Sequence, residues 1–221
     1  MKNKKLLFGV ALAVIAGLLL YKNVKADIGG VIDVEYVTDH LFRGEVRAND
    51  SVQGTVSTAV SVGDDLVLDV KGLYSAATDG DYQEFDASVG STFELNEELS
   101  LTVGSVLYEF INVDRDTDIE LFAGVSLTEV FLTPTITLFH NVETDVNTVQ
   151  LSVGNTWQVG SVDVNVSGVA GDGVDKYYGG RVGVRYGITD ELFVNTSVTL
   201  LRNDTTGENN EAFGVGVSYI F

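Results

Sequence analysis

From Gly30 onward the chain alternates apolar and polar residues in short segments, the period-2 pattern of strands with one apolar face. Leu66, Leu68, Val70 and Tyr74 alternate with Asp69, Lys71 and Ser75, and Phe85, Ala87, Val89, Phe93 and Leu95 alternate with Glu84, Asp86, Ser88, Thr92 and Glu94. No helical stripe is present after residue 26. Tight polar turns fall around Asp64, Glu97, Glu129, Gly160 and Asp190, at spacings of 33, 32, 31 and 30 residues. Between them lie longer polar segments at 44–50, 77–81, 112–118, 141–145, 171–175 and 203–210. Short turns and long loops alternating around strands of about 10 residues are the pattern of a transmembrane barrel, with the short turns on the periplasmic side. The count predicts a single all-β domain: an up-and-down antiparallel β-barrel of twelve strands, with both ends of the chain on the short-turn side.

Alternation alone does not say which face is inside, because a soluble sandwich alternates too. The regular division of connections favours apolar side chains towards lipid and polar ones towards the interior. Aromatics group near strand ends, with Phe42, Tyr74, Phe85 and Tyr178 beside the long loops and Phe93, Trp157, Tyr186 and Tyr219 beside the short turns, as two interfacial girdles would.

The first 26 residues differ in kind. Lys2, Lys4 and Lys5 precede an apolar stretch over 6–20, followed by Val24, Lys25 and Ala26, which predicts a secretory signal peptide at 1–26 and a barrel at 27–221. Fifteen apolar residues are short of the roughly 20 that a helical span needs. The expected destination is the cell outer membrane.

Charge and composition narrow the function. The 32 acidic residues outnumber 13 basic ones, and five of the basic ones lie in the signal segment, so the exported chain would carry −24. A nucleic-acid partner is excluded, since phosphate binding needs clustered Lys and Arg. With no Cys there is neither a disulfide nor a thiolate metal site. No loop has the ligand spacing of a calcium-binding loop, so no metal or cofactor is expected. His40 and His140 are the only histidines, and no Gly-x-Ser-x-Gly motif occurs, so the chain does not read as an enzyme. A hydrolase at the outer rim, pairing His140 with Ser152, is a minor alternative.

The polar set assigns Asp33, Glu35, Arg43, Asp69, Lys71, Glu84, Asp86, Glu120, Arg181 and Arg185 to the interior. Carboxylates dominate, which predicts an aqueous path favouring cations. Arg181 and Arg185 share one interior stripe and serve either a constriction or structural ion pairs. The function expected is passive diffusion of ions or small hydrophilic solutes. The alternative is a closed structural or adhesive barrel that binds through its loops and has no open pore.

The final strand, Phe213, Val215, Val217, Tyr219 and Phe221 against Ala212, Gly214, Gly216 and Ser218, resembles the terminal signal read by the bacterial barrel-assembly machinery. The opening strand, Tyr36-Val37-Thr38-Asp39-His40-Leu41-Phe42-Arg43-Gly44 followed by Val52-Gln53-Gly54, resembles that of the TorF-type putative porins of Gram-negative outer membranes. The resemblance implies a porin-like role, with outer-membrane lipid, lipopolysaccharide and the assembly machinery as partners and small solutes or ions as cargo.

Overall fold

The structure is a computed structural model, and it describes residues 29–62, 66–112 and 117–221. The segment at 1–26, the turn at Asp64 and positions 113–116 of the polar segment at 112–118 lie outside the described residues. Twelve strands are present: β1 (Gly30–Phe42), β2 (Glu45–Val62), β3 (Leu66–Ala77), β4 (Gln83–Glu94), β5 (Leu99–Phe110), β6 (Asp118–Leu127), β7 (Thr135–Asn141), β8 (Val146–Val159), β9 (Val162–Asp172), β10 (Lys176–Gly187), β11 (Leu192–Asn203) and β12 (Asn209–Ile220).

Each strand pairs antiparallel with the next, and β1 closes on β12, giving the up-and-down barrel that the alternation predicts. The seam is fixed at its end by reciprocal backbone bonds between Gly30 and Phe221, both 3.0 Å. The start of β1 and the end of β12 thus meet at one rim, here called the terminal end; the opposite rim is the far end.

The sides of the wall are inverted relative to a soluble protein. Ile32, Val34 and Tyr36 on β1, Val182, Val184 and Tyr186 on β10, and Phe213, Val215, Val217 and Tyr219 on β12 form an exposed outer belt. Ser75, Glu84, Ser197 and Ser218, which alternate with such residues, are buried in the interior. Twelve strands leave an interior wider than the eight-stranded barrels that side chains fill.

Two expectations about connections are overturned. The segment at 44–50, read as an outside loop, is strand: β2 begins at Glu45, and only Arg43 and Gly44 separate it from β1. The connection around Glu129, read as a tight turn, runs over 128–134 and is as long as any at the far end. It extends the wall beyond Thr135, the start of the short β7, with Gly154 N–H donating to the Leu132 carbonyl (2.7 Å) and the Asn155 side chain to the Phe131 carbonyl (2.8 Å). Phe131 then stacks on Trp157 at 5.6 Å. Length therefore does not separate the two ends of this barrel.

Candidate functional site: a hairpin inside the barrel

The barrel ladders do not run the full length of β1 and β2. The register of β1 with β12 stops at Val37↔Gly214, and that of β2 with β3 starts at Ser51↔Ala77. Between these limits the two strands pair with each other, up to Phe42↔Glu45, and among the described residues the one backbone bond from this stretch to the wall is at its base, where Thr78 N–H donates to the Asp50 carbonyl at 2.8 Å. Residues 38–50 thus form a hairpin that has left the wall. Its turn places Arg43 at φ 47° and Gly44 at φ 93°, the positive dihedrals that a two-residue hairpin turn requires. The register shifts after His40, leaving Arg47 as an extra residue on β2, a bulge that bends the hairpin.

The hairpin lies across the interior. On one side Gly44 packs against β10 and β11, where an added Cβ would stand 2.9 Å from that of Tyr177. Asn210 of β12 donates to the Gly44 carbonyl at 3.0 Å. On the other side Arg43 makes a bidentate pair with Glu120 of β6 at 2.6 and 2.8 Å, and Tyr108 of β5 donates to the same carboxylate at 3.0 Å. Arg47 pairs with Glu84 of β4, which also accepts the Tyr82 hydroxyl at 2.6 Å. Burial, and then this bond, push the Tyr82 hydroxyl up from its ordinary value, so it remains a donor.

Aromatic rings cover both cations. The Arg47 guanidinium lies 3.6 Å from the Phe42 ring centre, and that of Arg43 lies 4.4 Å from the Phe139 ring centre. His40 is buried beside Ser75, with 3.1 Å between Nδ1 and the hydroxyl. Phe42, expected in the outer girdle, is instead stacked edge-on to Tyr108 at 5.7 Å. Its inward turn follows from the hairpin leaving the wall.

Two cavities border this hairpin. One of about 230 Å³ opens at the far end among Arg43, Tyr108, Asn141, Thr148, Asp175 and Tyr177. The other, of about 320 Å³, lies on the terminal side among Glu35, His40, Gln53, Asp86, Arg181 and Ser197. Phe42 lines both.

Below the hairpin, charges pair along the wall. Arg181 lies 3.2 Å from Glu35, which also accepts Ser197 at 2.9 Å. Glu35 reaches these groups by crossing over β12 at Gly214, where any Cβ would collide with its carboxylate. Arg185 binds Asp163 on the adjacent strand at 2.7 and 3.0 Å and stacks on Phe193 at 4.4 Å. Asp33 accepts the Ser218 hydroxyl. Asp69 and Lys71 face the interior on β3 and are exposed there. Asp86 also faces inward, with Oδ1 buried and without a hydrogen-bond partner. The structure thus gathers Arg43, Glu84 and Glu120 at the hairpin and distributes the other candidates along the wall.

Arg47, Tyr82, Tyr108 and Tyr177 complete the site and were not among the residues singled out from sequence. Arg47 sits in the segment read as an outside loop. The tyrosines carried one available signal: each lies on or next to a strand at the same end as Arg43.

His140 and Ser152 do not meet. His140 pairs with the exposed Asn147 on the outer face, at 3.1 Å, whereas Ser152 lines an interior cavity two residues from the inward Gln150.

The KdgM porin superposes with a TM-score of 0.59 at 10% identity, covering 86% of this chain and 99% of its own. The fold is that of small outer-membrane barrels. The NanC porin gives 0.57 at 8% identity over 86% and 98%. Outer membrane phospholipase A from Escherichia coli, as an active-site mutant, gives 0.56 at 13% over 94% and 97%. No family model matches the chain, and no curated protein matches it. Porins and a phospholipase share this architecture, so the barrel by itself does not choose between transport and hydrolysis.

Proposed function

We propose that the chain is an outer-membrane, porin-like channel for ions or small hydrophilic solutes, narrowed by the hairpin at 38–50. The observation that carries this reading is the charged interior, with cavities of about 230 and 320 Å³ on the two sides of that hairpin. The KdgM and NanC structures, both titled porins, support it through the shared fold, and the opening strand supports a TorF-type affiliation.

Cations are favoured, because the paired Arg residues are neutralised by Glu120, Glu84, Glu35 and Asp163 while Asp33 and Asp69 remain in surplus over Lys71. The protein is exported by its segment at 1–26, assembled through its last strand, and held by lipid and lipopolysaccharide. It does no covalent chemistry.

Conductance of the purified barrel in a planar bilayer tests this. Steady current with a reversal potential on the cation side is expected, and anion preference overturns the selectivity. The second reading, a closed barrel, draws on the span of Arg43 to Glu120 across the interior. It requires the complete absence of steady current.

A further inference from the structure

The hairpin at 38–50 has a second place to go. Strand β12 pairs with β11 as far as Arg202↔Asn209 but with β1 only as far as Val37↔Gly214. Its edge over 209–213 therefore faces β1 without a ladder. A Phe213 N–H bond to Thr38 Oγ1 at 3.0 Å stands where the next rung would be. Continuing the existing register would set Thr38 opposite Phe213, Leu41 opposite Asn210 and Phe42 opposite Asn209.

The side-chain pattern fits that position as well. Ile32, Val34 and Tyr36 point to the outer belt, and strict alternation continues the same face through Thr38, His40 and Phe42. In the folded-in position His40 and Phe42 point inward instead. The change of face falls at the base of the hairpin, where Asp50 adopts φ 46° and accepts the Tyr36 hydroxyl. Among the described residues, the body of the hairpin is held inside by side-chain bonds, above all Arg43–Glu120 and Arg47–Glu84, rather than by a backbone ladder to the wall.

We propose that the hairpin at 38–50 is a two-position gate. Latched by its two Arg–carboxylate pairs, it crosses the interior. Released, it extends the wall along the vacant edge of β12, which exchanges side-chain latches for backbone rungs and clears the space between the two cavities. Such an element, with two discrete arrangements of comparable bonding, is what a switching barrel needs. The gating part rests on the channel reading; the two positions do not.

The chain has no Cys, so disulfides introduced in pairs report each position alone. For the latched position, His40→Cys with Ser75→Cys suits, since His40 Nδ1 lies 3.1 Å from the Ser75 hydroxyl inside the barrel and the released hairpin would break that contact. For the released position, Phe42→Cys with Asn209→Cys suits, because latched Phe42 packs against Tyr108 of β5 and comes opposite Asn209 only along the β12 edge. A third form, Glu84→Gln with Glu120→Gln, weakens both latches, and heat-modifiable migration identifies folded barrels in every case.

The released-position crosslink is expected to form, faster when the latch substitutions are added, and the oxidised latched form is expected to lose most of its steady current until reduced. Failure of the released crosslink in folded barrel, even with the latches weakened, overturns the proposal. So does an equal, non-zero current in the two oxidised forms. A released crosslink that forms in a barrel silent in every state supports the two positions and removes the channel reading instead.

Discussion

Glu84 is fully buried, and its charge is carried by two neighbours, Arg47 and the Tyr82 hydroxyl. The Arg47 side chain is itself only 6% exposed. Breaking such a pair from one side leaves a charge in a medium that cannot solvate it, at about 3–5 kcal/mol, whereas removing both charges together is far milder. Arg47→Ala should therefore destabilise the refolded barrel strongly in urea, and adding Glu84→Gln should recover most of the loss. Equal destabilisation by the single and double variants would show that the Arg47 stem, stacked on Phe42, matters more than its charge. Arg181 is a different case, 47% exposed beside Glu35, and the energy there is small because water screens it. Its effect belongs to the field inside the barrel. Glu35→Gln uncovers the Arg181 charge and should move the reversal potential towards anions, with little change in urea midpoint. At this scale the sequence marked Arg43, Glu84, Glu120, Arg181 and Glu35 as inward through alternation alone, but partner choice depends on which strands face each other across the interior, and a period of two carries no such information.

The elements that sequence reading misplaced fail for one physical reason. Polarity reports contact with water, and in a barrel water lies inside as well as beyond the rims. The polar run at 44–50 is strand of the inward hairpin, and its Arg47 finds a carboxylate in the interior rather than solvent outside. The connector at 128–134 was missed in the opposite sense: its apolar Val130, Phe131 and Leu132 look like strand, yet the single Pro of the chain and the early end of β6 at Leu127 make it a long link. Phe131 is 70% exposed and stacked on Trp157, an aromatic pair suited to the boundary between lipid and water. Trp157 is the only Trp, so its fluorescence reports this element alone. In vesicles containing brominated lipid, quenching should be strongest with bromine near the head groups and weak with bromine near the chain ends. Stronger deep quenching would place the connector inside the hydrocarbon and contradict an interfacial role.

For the molecule as a whole, closure depends on the seam between β1 and β12. That pairing runs from Val31↔Ile220 to Val37↔Gly214, with the Gly30–Phe221 bonds beyond it, and so spans fewer rungs than the other ladder of β12, which reaches from Leu192↔Tyr219 to Arg202↔Asn209. The strand count, topology and seam were legible because they follow from the rhythm of turns, whereas the shortened ladder was not, since nothing in the alternation of β1 marks where it leaves the wall. Deleting Tyr219, Ile220 and Phe221 removes the outermost rungs but leaves Asp33↔Ser218 through Val37↔Gly214 in place. On stability alone the shortened barrel should still close. Recognition is another matter, because Phe213, Val215, Val217, Tyr219 and Phe221 form one outward apolar row, and the deletion takes two of its three aromatic members. The truncated chain is thus expected to refold in detergent, shown by heat-modifiable migration, and to be exported in cells without appearing in the outer membrane. Failure in detergent too would assign the three residues to seam stability, and normal amounts of folded barrel in the outer membrane would remove their role as an assembly signal.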